Sequence, residues 1–229
     1  MRARSSIFLV TVLLFSALTL AATPALAQYK VEMAAAAPPE ELAPAVRESL
    51  AGDVVRVVGP QGSLCEVWLR KSVPAQASSG PGIGVAFPQL AVGTLVGAVR
   101  FAAETRDYRR QQVKPGVYTL RYALNPADGN HMGVAPQRDF LILAPAAEDT
   151  KTAAISYEEV LELSRKASGT NHPSVWSLEP ADERVSAPKL IHKEEEDHWV
   201  LLFGVSLDAG GSKTPATLGL VIVGFAAEA

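Results

Sequence analysis

The chain has little of three things that define common protein classes: cysteine, charge of one sign, and long apolar runs. One cysteine, Cys65, among 229 residues excludes an intramolecular disulfide framework and a Cys-rich zinc module. A net charge of −3, with 20% charged residues, excludes a nucleic-acid binder that neutralises many phosphates. Hydrophobic residues make up 48%, too many for a disordered chain. These limits leave a compact domain in which 17 glycines and 16 prolines mark many turns.

The N-terminus has the pattern of an export signal. Two arginines precede an uncharged, mostly apolar run of 14 residues at 7–20, and Ala25-Leu26-Ala27 supplies the small residues that signal peptidase requires. An uncleaved anchor is the less favoured alternative, because a membrane span needs about 20 apolar residues. The sequence therefore predicts a signal peptide over residues 1–27 and a periplasmic or secreted product that begins at Gln28.

The mature chain predicted in this way is mildly acidic. Removing residues 1–27 takes away two arginines and no acid, which leaves 19 basic and 24 acidic residues. No basic block is present to bind nucleic acid or an anionic membrane surface, and no second apolar stretch is long enough to span a membrane. We expect neither nucleic-acid binding nor a membrane span after cleavage, and the sequence identifies no cofactor.

Composition and periodicity divide the mature chain into two parts. Residues 28–51 form the N-terminal part: 28–38 are Ala-rich and Pro-flanked and predict a tether, and a short helix is predicted from about Pro38 to Leu50 or Ala51. Residues 52–229 predict a single β-sandwich domain, because apolar and polar residues alternate at 64–70 and 117–124. One peripheral helix is clearly marked at 156–168, where Ser156 and Glu159 form a capping box.

Further strands follow from short apolar runs bounded by Gly, Pro or charged residues. Together with that alternation, they predict a mainly β fold, an antiparallel β-sandwich with one or two peripheral helices. The predicted strands lie at 54–58, 95–102, 140–143, 175–178, 189–192, 199–205 and 218–225.

The cysteine and the tryptophans have both a structural and a functional interpretation. Cys65 shares a strand face with apolar residues, which favours a buried thiol over a reactive one. The tryptophans and tyrosines could line a sugar-binding face, but aromatic residues at alternating positions more often form a core. The sequence therefore favours core positions for Trp68, Trp176 and Trp199.

His192 and His198 form the first candidate site. If a hairpin forms around residues 193–197, the two rings stand opposite each other, and Glu196 or Asp197 could complete a metal site with two histidines and one carboxylate. The alternative is an exposed, charged hairpin tip that prevents aggregation.

The loop at 125–139 is the second candidate, as a ligand-binding site. It gathers Asp128, His131, Arg138 and Asp139 between two predicted strands, so a carboxylate could orient His131 as a base or a ligand. The alternative is an ordinary connecting loop in which Asp128 caps a turn.

One short segment carries a resemblance. Lys114-Pro115-Gly116-Val117-Tyr118-Thr119-Leu120 resembles a hairpin found in several secreted bacterial β-sandwich domains of unknown function. A later strand at 218–224 fits the same architecture, so the resemblance covers two short segments of the chain. It implies a fold type and no activity or site residue.

These observations favour a non-catalytic binding or structural module of the cell envelope, with an envelope polymer or a protein as its partner. The alternative is an exported hydrolase or metal-binding protein that uses His131 or the pair His192 and His198. The chain contains no Gly-x-Ser-x-Gly motif, and no glycine-rich loop precedes a helix.

Overall fold

A computed structural model of the chain describes residues 29–76, 82–127 and 135–226. The described residues form thirteen strands and two helices. In chain order these are β1 (Lys30–Ala35), α1 (Pro44–Ser49), β2 (Asp53–Gly59), β3 (Gly62–Leu69), β4 (Val73–Pro74), β5 (Leu95–Phe101), β6 (Thr105–Arg106), β7 (Gln112–Val113), β8 (Gly116–Leu124), β9 (Asp139–Pro145), α2 (Tyr157–Ser168), β10 (Val175–Pro180), β11 (Lys189–Lys193), β12 (His198–Ala209) and β13 (Ser212–Val223).

Most of these strands belong to one large sheet. Its order is β1-β2-β3-β5-β8-β9-β10-β13-β12-β11, and β4 adds to the far side of β12 in parallel. The other pairings along this path are antiparallel. The sheet curls into a half-barrel, and its two end strands, β1 and β11, lie close together without a ladder between them.

Strand β10 joins the two halves of the sheet. Its first three residues, Val175–Ser177, pair with β9, and its last three, Leu178–Pro180, pair with β13. A strand that changes partners in this way turns a corner, because its two ends lie in differently oriented sheets.

Apolar side chains from both halves meet on the inner face of the curl. Trp176 of β10 stacks on Phe101 of β5, with ring centroids 5.3 Å apart. Phe203 of β12 and Leu220 of β13 complete the same buried cluster. This packing explains why the first half of β12 and the second half of β13 are so apolar, since their outer-face residues Val200, Leu202 and Val221 are buried as well.

Two segments that contain the helices cover the outer face. α1 packs Val46 against Trp68 of β3, while α2 packs Val160 against Phe140 and Ile142 of β9. α2 begins at the predicted cap, where Ser156 Oγ accepts from Glu159 N, and it ends at Gly169 in the left-handed conformation. None of the helices in the described ranges is both long enough and apolar enough to cross a membrane.

A buried ion pair fixes the segment between β9 and α2 to the outer face. Arg121 of β8 donates through Nε and Nη2 to both carboxylate oxygens of Asp149, at 2.6 and 2.7 Å. Thr119 Oγ1 donates to the same carboxylate, and Arg121 Nη1 donates to the carbonyl oxygens of Gly93 and Ala153. Because every charge has hydrogen-bond partners, the pair is tolerated at a fully buried position.

The mainly β prediction is confirmed, and three details of it are corrected. The strands form one curled sheet that is not clearly divided into the two layers of a sandwich. Residues 30–35, assigned above to a tether, form the edge strand β1, because β2 supplies a ladder for them. The first helix is shorter than predicted and begins at Pro44, a residue suited to the first turn.

Candidate functional site

One end of the half-barrel contains a cavity of about 490 Å³, which we call the Tyr29 pocket. It is lined by Tyr29, by residues 59–64 of the β2–β3 hairpin, and by residues 103–105, which lead from β5 into β6. Its volume lies within the range of about 300–1,000 Å³ that is typical of small-ligand sites. The pocket is therefore large enough for a small molecule or for one unit of a polymer.

Tyr29 is held in the wall of the pocket by two neighbours. Its ring lies against Gly59, whose missing side chain leaves the space that the ring occupies. Its ring centroid is 5.1 Å from that of Trp199 in β12, at an interplanar angle of 59°. Tyr29 thus connects the first strand of the sheet to its last hairpin, across the gap between β1 and β11.

The turn of the β2–β3 hairpin forms another part of the pocket wall. Gly59 and Gly62 form the last pair of the β2–β3 ladder, and Pro60 and Gln61 make the turn between them. Gly62 has φ = +109°, a conformation that residues with a Cβ atom rarely adopt. Proline and glycine thus give the wall a fixed backbone before any ligand is present.

Four polar side chains line the pocket without partners among the described residues. Gln61, Ser63, Glu104 and Thr105 make no side-chain hydrogen bond or ion pair with any other described residue. An amide, two hydroxyls and one carboxylate are therefore available to a ligand beside an aromatic ring. Glu104 is the only charged group in the lining, so the pocket disfavours anions.

An aromatic row extends from the pocket along the end of the sheet. The ring of His192 in β11 stacks on Trp199, with centroids 4.5 Å apart and an interplanar angle of 10°. His192 Nε2 also lies 3.1 Å from Asp197 Oδ1 in the turn that joins β11 to β12. The core prediction holds for Trp68 and Trp176, which are buried, whereas Trp199 is partly exposed.

The expectation that His192 and His198 face each other is wrong. His192 pairs with Trp199 and Lys193 pairs with His198, so the turn contains the four residues 194–197 and not five. A shift of one residue moves a side chain to the other face of a strand. The two rings therefore lie on opposite faces of the hairpin.

His198 has a structural environment on the outer face. It is 4% exposed, and its Nε2 lies 3.1 Å from the carbonyl oxygen of Phe225. Its Nδ1 lies 3.6 Å from Glu179 Oε1, beyond hydrogen-bond distance, and Glu179 itself binds Lys193. In the described part of the chain, no three His, Cys, Asp or Glu side chains form a group that could hold a metal ion.

The 125–139 loop lies only partly within the described residues. Asp128 and His131 are outside them, so their predicted roles remain predictions. Asp139 is fully buried, and its oxygens accept from the amides of Ala86 and Phe87 and, at 2.6 Å, from Tyr122 Oη. These bonds occupy Asp139 as an anchor for the segment that contains Phe87. Burial, together with the hydrogen bond to Asp139, raises the pKa of the Tyr122 hydroxyl.

Arg138, the fourth predicted residue of that loop, also makes an internal contact. Its Nε donates to the carbonyl oxygen of Asn125 at 2.8 Å, and its amide donates to the carbonyl oxygen of Gly84 at the same distance. The structure therefore brings Arg138 and Asp139 together as parts of the scaffold that closes this end of the sheet.

Asp107 is a further buried acid that the sequence does not single out. Its carboxylate accepts from the amides of Arg109, Gln111 and Val175 and from the Gln111 side chain, and so fixes a loop to β10. Burial raises the pKa of Asp107. Because four internal donors already bind this carboxylate, we assign it a structural role.

Comparison with known proteins gives no match for this chain among protein-family models, curated proteins or solved structures.

Proposed function

We propose that the chain is a non-catalytic binding module whose Tyr29 pocket takes a neutral ligand rich in hydroxyl groups, such as one or two units of an oligosaccharide. The observation that carries the proposal is the combination of an aromatic ring with four polar side chains that bind no other described residue. Gln61, Ser63 and Glu104 are exposed and Thr105 is half-buried, so these groups are accessible to a ligand at a concave site.

The chemistry of the lining selects this ligand class. The Gln61 amide both donates and accepts, and the hydroxyls of Ser63 and Thr105 do the same, which matches the hydroxyl groups of a sugar. The C–H face of a sugar ring is apolar and can cover the Tyr29 ring. Glu104 accepts hydrogen bonds from hydroxyl groups and repels anionic ligands.

The surroundings of the buried acids elsewhere in the molecule support a binding role over a catalytic one. Asp107, Asp139 and Asp149 are buried acids, and each binds several internal donors. A catalytic site needs titratable groups that converge on a cavity, and Glu104 is the single titratable acid in the Tyr29 pocket.

Export remains part of the proposal. Cleavage after Ala27 would make Tyr29 the second residue of the mature chain, beside the pocket that it lines. Intact mass of the natively produced protein tests this step: a product that begins at Gln28 agrees with it, and a product that retains Met1 or Arg2 contradicts it.

The alternative, a hydrolase or metal-binding protein that uses His131, has a separate test. The binding-module proposal expects His131→Ala to leave oligosaccharide affinity unchanged. It also expects zinc to shift the melting temperature of wild type and of this variant equally. A zinc-dependent stabilisation that disappears in His131→Ala would favour the alternative.

Calorimetric titration with chitohexaose, cellohexaose and maltohexaose tests the pocket itself. We expect one of these probes to bind wild type and to lose at least about tenfold in affinity in Tyr29→Ala and in Gln61→Ala, because each variant removes a direct contact. Gln112→Ala, an exposed glutamine outside the pocket, is the matched control and should bind as wild type. Absence of binding to all three probes, or equal affinity in all variants, would overturn the proposal.

A further inference from the structure

A second cavity lies on the outer face of the long β12–β13 hairpin. Its volume is about 270 Å³, and its exposed wall is mostly carbon. Gly204 and Ser206 of β12 pair with Thr217 and Pro215 of β13 to form its floor. Val185, from the segment between β10 and β11, forms one side.

Specific contacts hold this side in place. The Val185 amide donates to Thr217 Oγ1 at 3.2 Å, which fixes the segment to the hairpin. Gly204 allows the close approach, because a Cβ atom at that position would lie 3.3 Å from the Val185 carbonyl oxygen. The cavity is therefore a fixed feature of the packing between the segment and the hairpin.

Two cations line the cavity and have no counter-ion among the described residues. Arg184 and Lys213 form no ion pair or hydrogen bond through their side chains with any described residue, and none of the lining residues is acidic. Two of the nearby acids have other partners. Glu183 binds Lys189, and Asp208, opposite Lys213, accepts from the amide of Gly211.

We propose that this cavity binds a small amphiphilic carboxylate, such as a medium-chain fatty acid. Its hydrocarbon chain would lie on Val185, Gly204 and Pro215, while its carboxylate would lie between Arg184 and Lys213. The volume is slightly below the range of drug-sized sites, which limits the length of the ligand's chain. The site is independent of the Tyr29 pocket, which has the opposite charge preference.

Calorimetric titration with sodium octanoate, kept below its micellar concentration, tests this site. We expect saturable binding to wild type and about tenfold weaker binding to Arg184→Ala and to Lys213→Ala, since each loses one charge-assisted contact. Octanol, which has the same chain without the charge, should bind at least about tenfold more weakly than octanoate. Lys189→Ala, which removes a nearby cation that already has a partner, should bind octanoate as wild type does.

Amide chemical shifts locate the binding. We expect octanoate to shift the amides of residues 184–185, 204–206 and 213–217 and to leave those of residues 59–64 unchanged. Because Arg184 and Lys213 are exposed, both variants should keep the wild-type melting temperature within experimental error. Shifts elsewhere only, equal affinity for octanol, or unchanged affinity in both variants would overturn the proposal.

Discussion

Tyr29 and Gly59 are in direct contact across the first two strands of the sheet, and a Cβ atom at position 59 would come within 2.6 Å of Tyr29 Cε1. The Tyr29 ring thus occupies the space that a side chain at position 59 would fill, and the shape of the Tyr29 pocket depends on this contact.

Gly59→Ala tests that dependence. We expect the Tyr29 ring to move away from Trp199, because a half-buried side chain shifts more easily than the ladder beneath it. The cost in the free energy of unfolding should be about 1 kcal/mol. Cross-relaxation between the two rings, measured by NMR, should be lost in this variant. Gly52→Ala is the matched control, since a Cβ atom there meets nothing within 4 Å. An unchanged ring contact in Gly59→Ala would contradict the assignment.

Removing one partner of the buried pair Arg121–Asp149 should be strongly destabilising. Asp149→Ala leaves a buried guanidinium without its counter-ion, which typically costs about 3–5 kcal/mol in the free energy of unfolding. Urea denaturation measures it. Glu148→Ala removes the neighbouring acid, whose partner Lys166 is exposed, and should change stability by at most about 1 kcal/mol. Equal losses in the two variants would show that Arg121 is not held as described.

Cys65 should be chemically inert in the folded protein. It is 1% exposed, and burial raises the pKa of its thiol to about 12, so the reactive thiolate is absent at neutral pH. We expect no labelling by iodoacetamide at pH 8 over an hour and complete labelling in guanidinium chloride, monitored by mass spectrometry. Rapid labelling of the native protein would place Cys65 outside the core.

The Tyr122 hydroxyl should stabilise the segment that Asp139 anchors. Tyr122→Phe removes one of three donors to a buried carboxylate and should lower the free energy of unfolding by about 1–3 kcal/mol. Hydrogen exchange at the Ala86 and Phe87 amides, which donate to the same carboxylate, should accelerate more than exchange at Val57 in β2. Uniform acceleration across the sheet would indicate global destabilisation without a local anchor role.

The strands in which apolar and polar residues clearly alternate are the part of the fold that the local sequence predicts. Tyr118, Leu120 and Tyr122 do face the inner core, and Arg121 does face the other side. β1 could not be predicted in this way, because its polar and apolar residues alternate over only Lys30 to Met33 and it becomes a strand through its pairing with β2. The curl likewise depends on β10 changing partners, a tertiary event with no local signal.

The histidine pair and the Tyr29 pocket could not be predicted from the sequence for a similar reason. Whether His192 and His198 share a face depends on one residue of turn length, and several lengths are compatible with the charged run between them. The polar residues of the Tyr29 pocket look like ordinary turn residues in sequence. Gly59-Pro60 marks the turn, but only the fold brings Tyr29 and Glu104 to it.

An amide chemical-shift titration of the isotope-labelled chain with chitohexaose, cellohexaose and maltohexaose tests the central claim most directly. We predict that at least one of these neutral oligosaccharides shifts the amides of residues 59–64 and 103–105 in a saturable way. These shifts should disappear in Tyr29→Ala, while the spectrum of that variant elsewhere remains that of a folded protein. A wild-type spectrum that none of the three changes at these positions, or changes that persist in Tyr29→Ala, would contradict the Tyr29 pocket as the binding site.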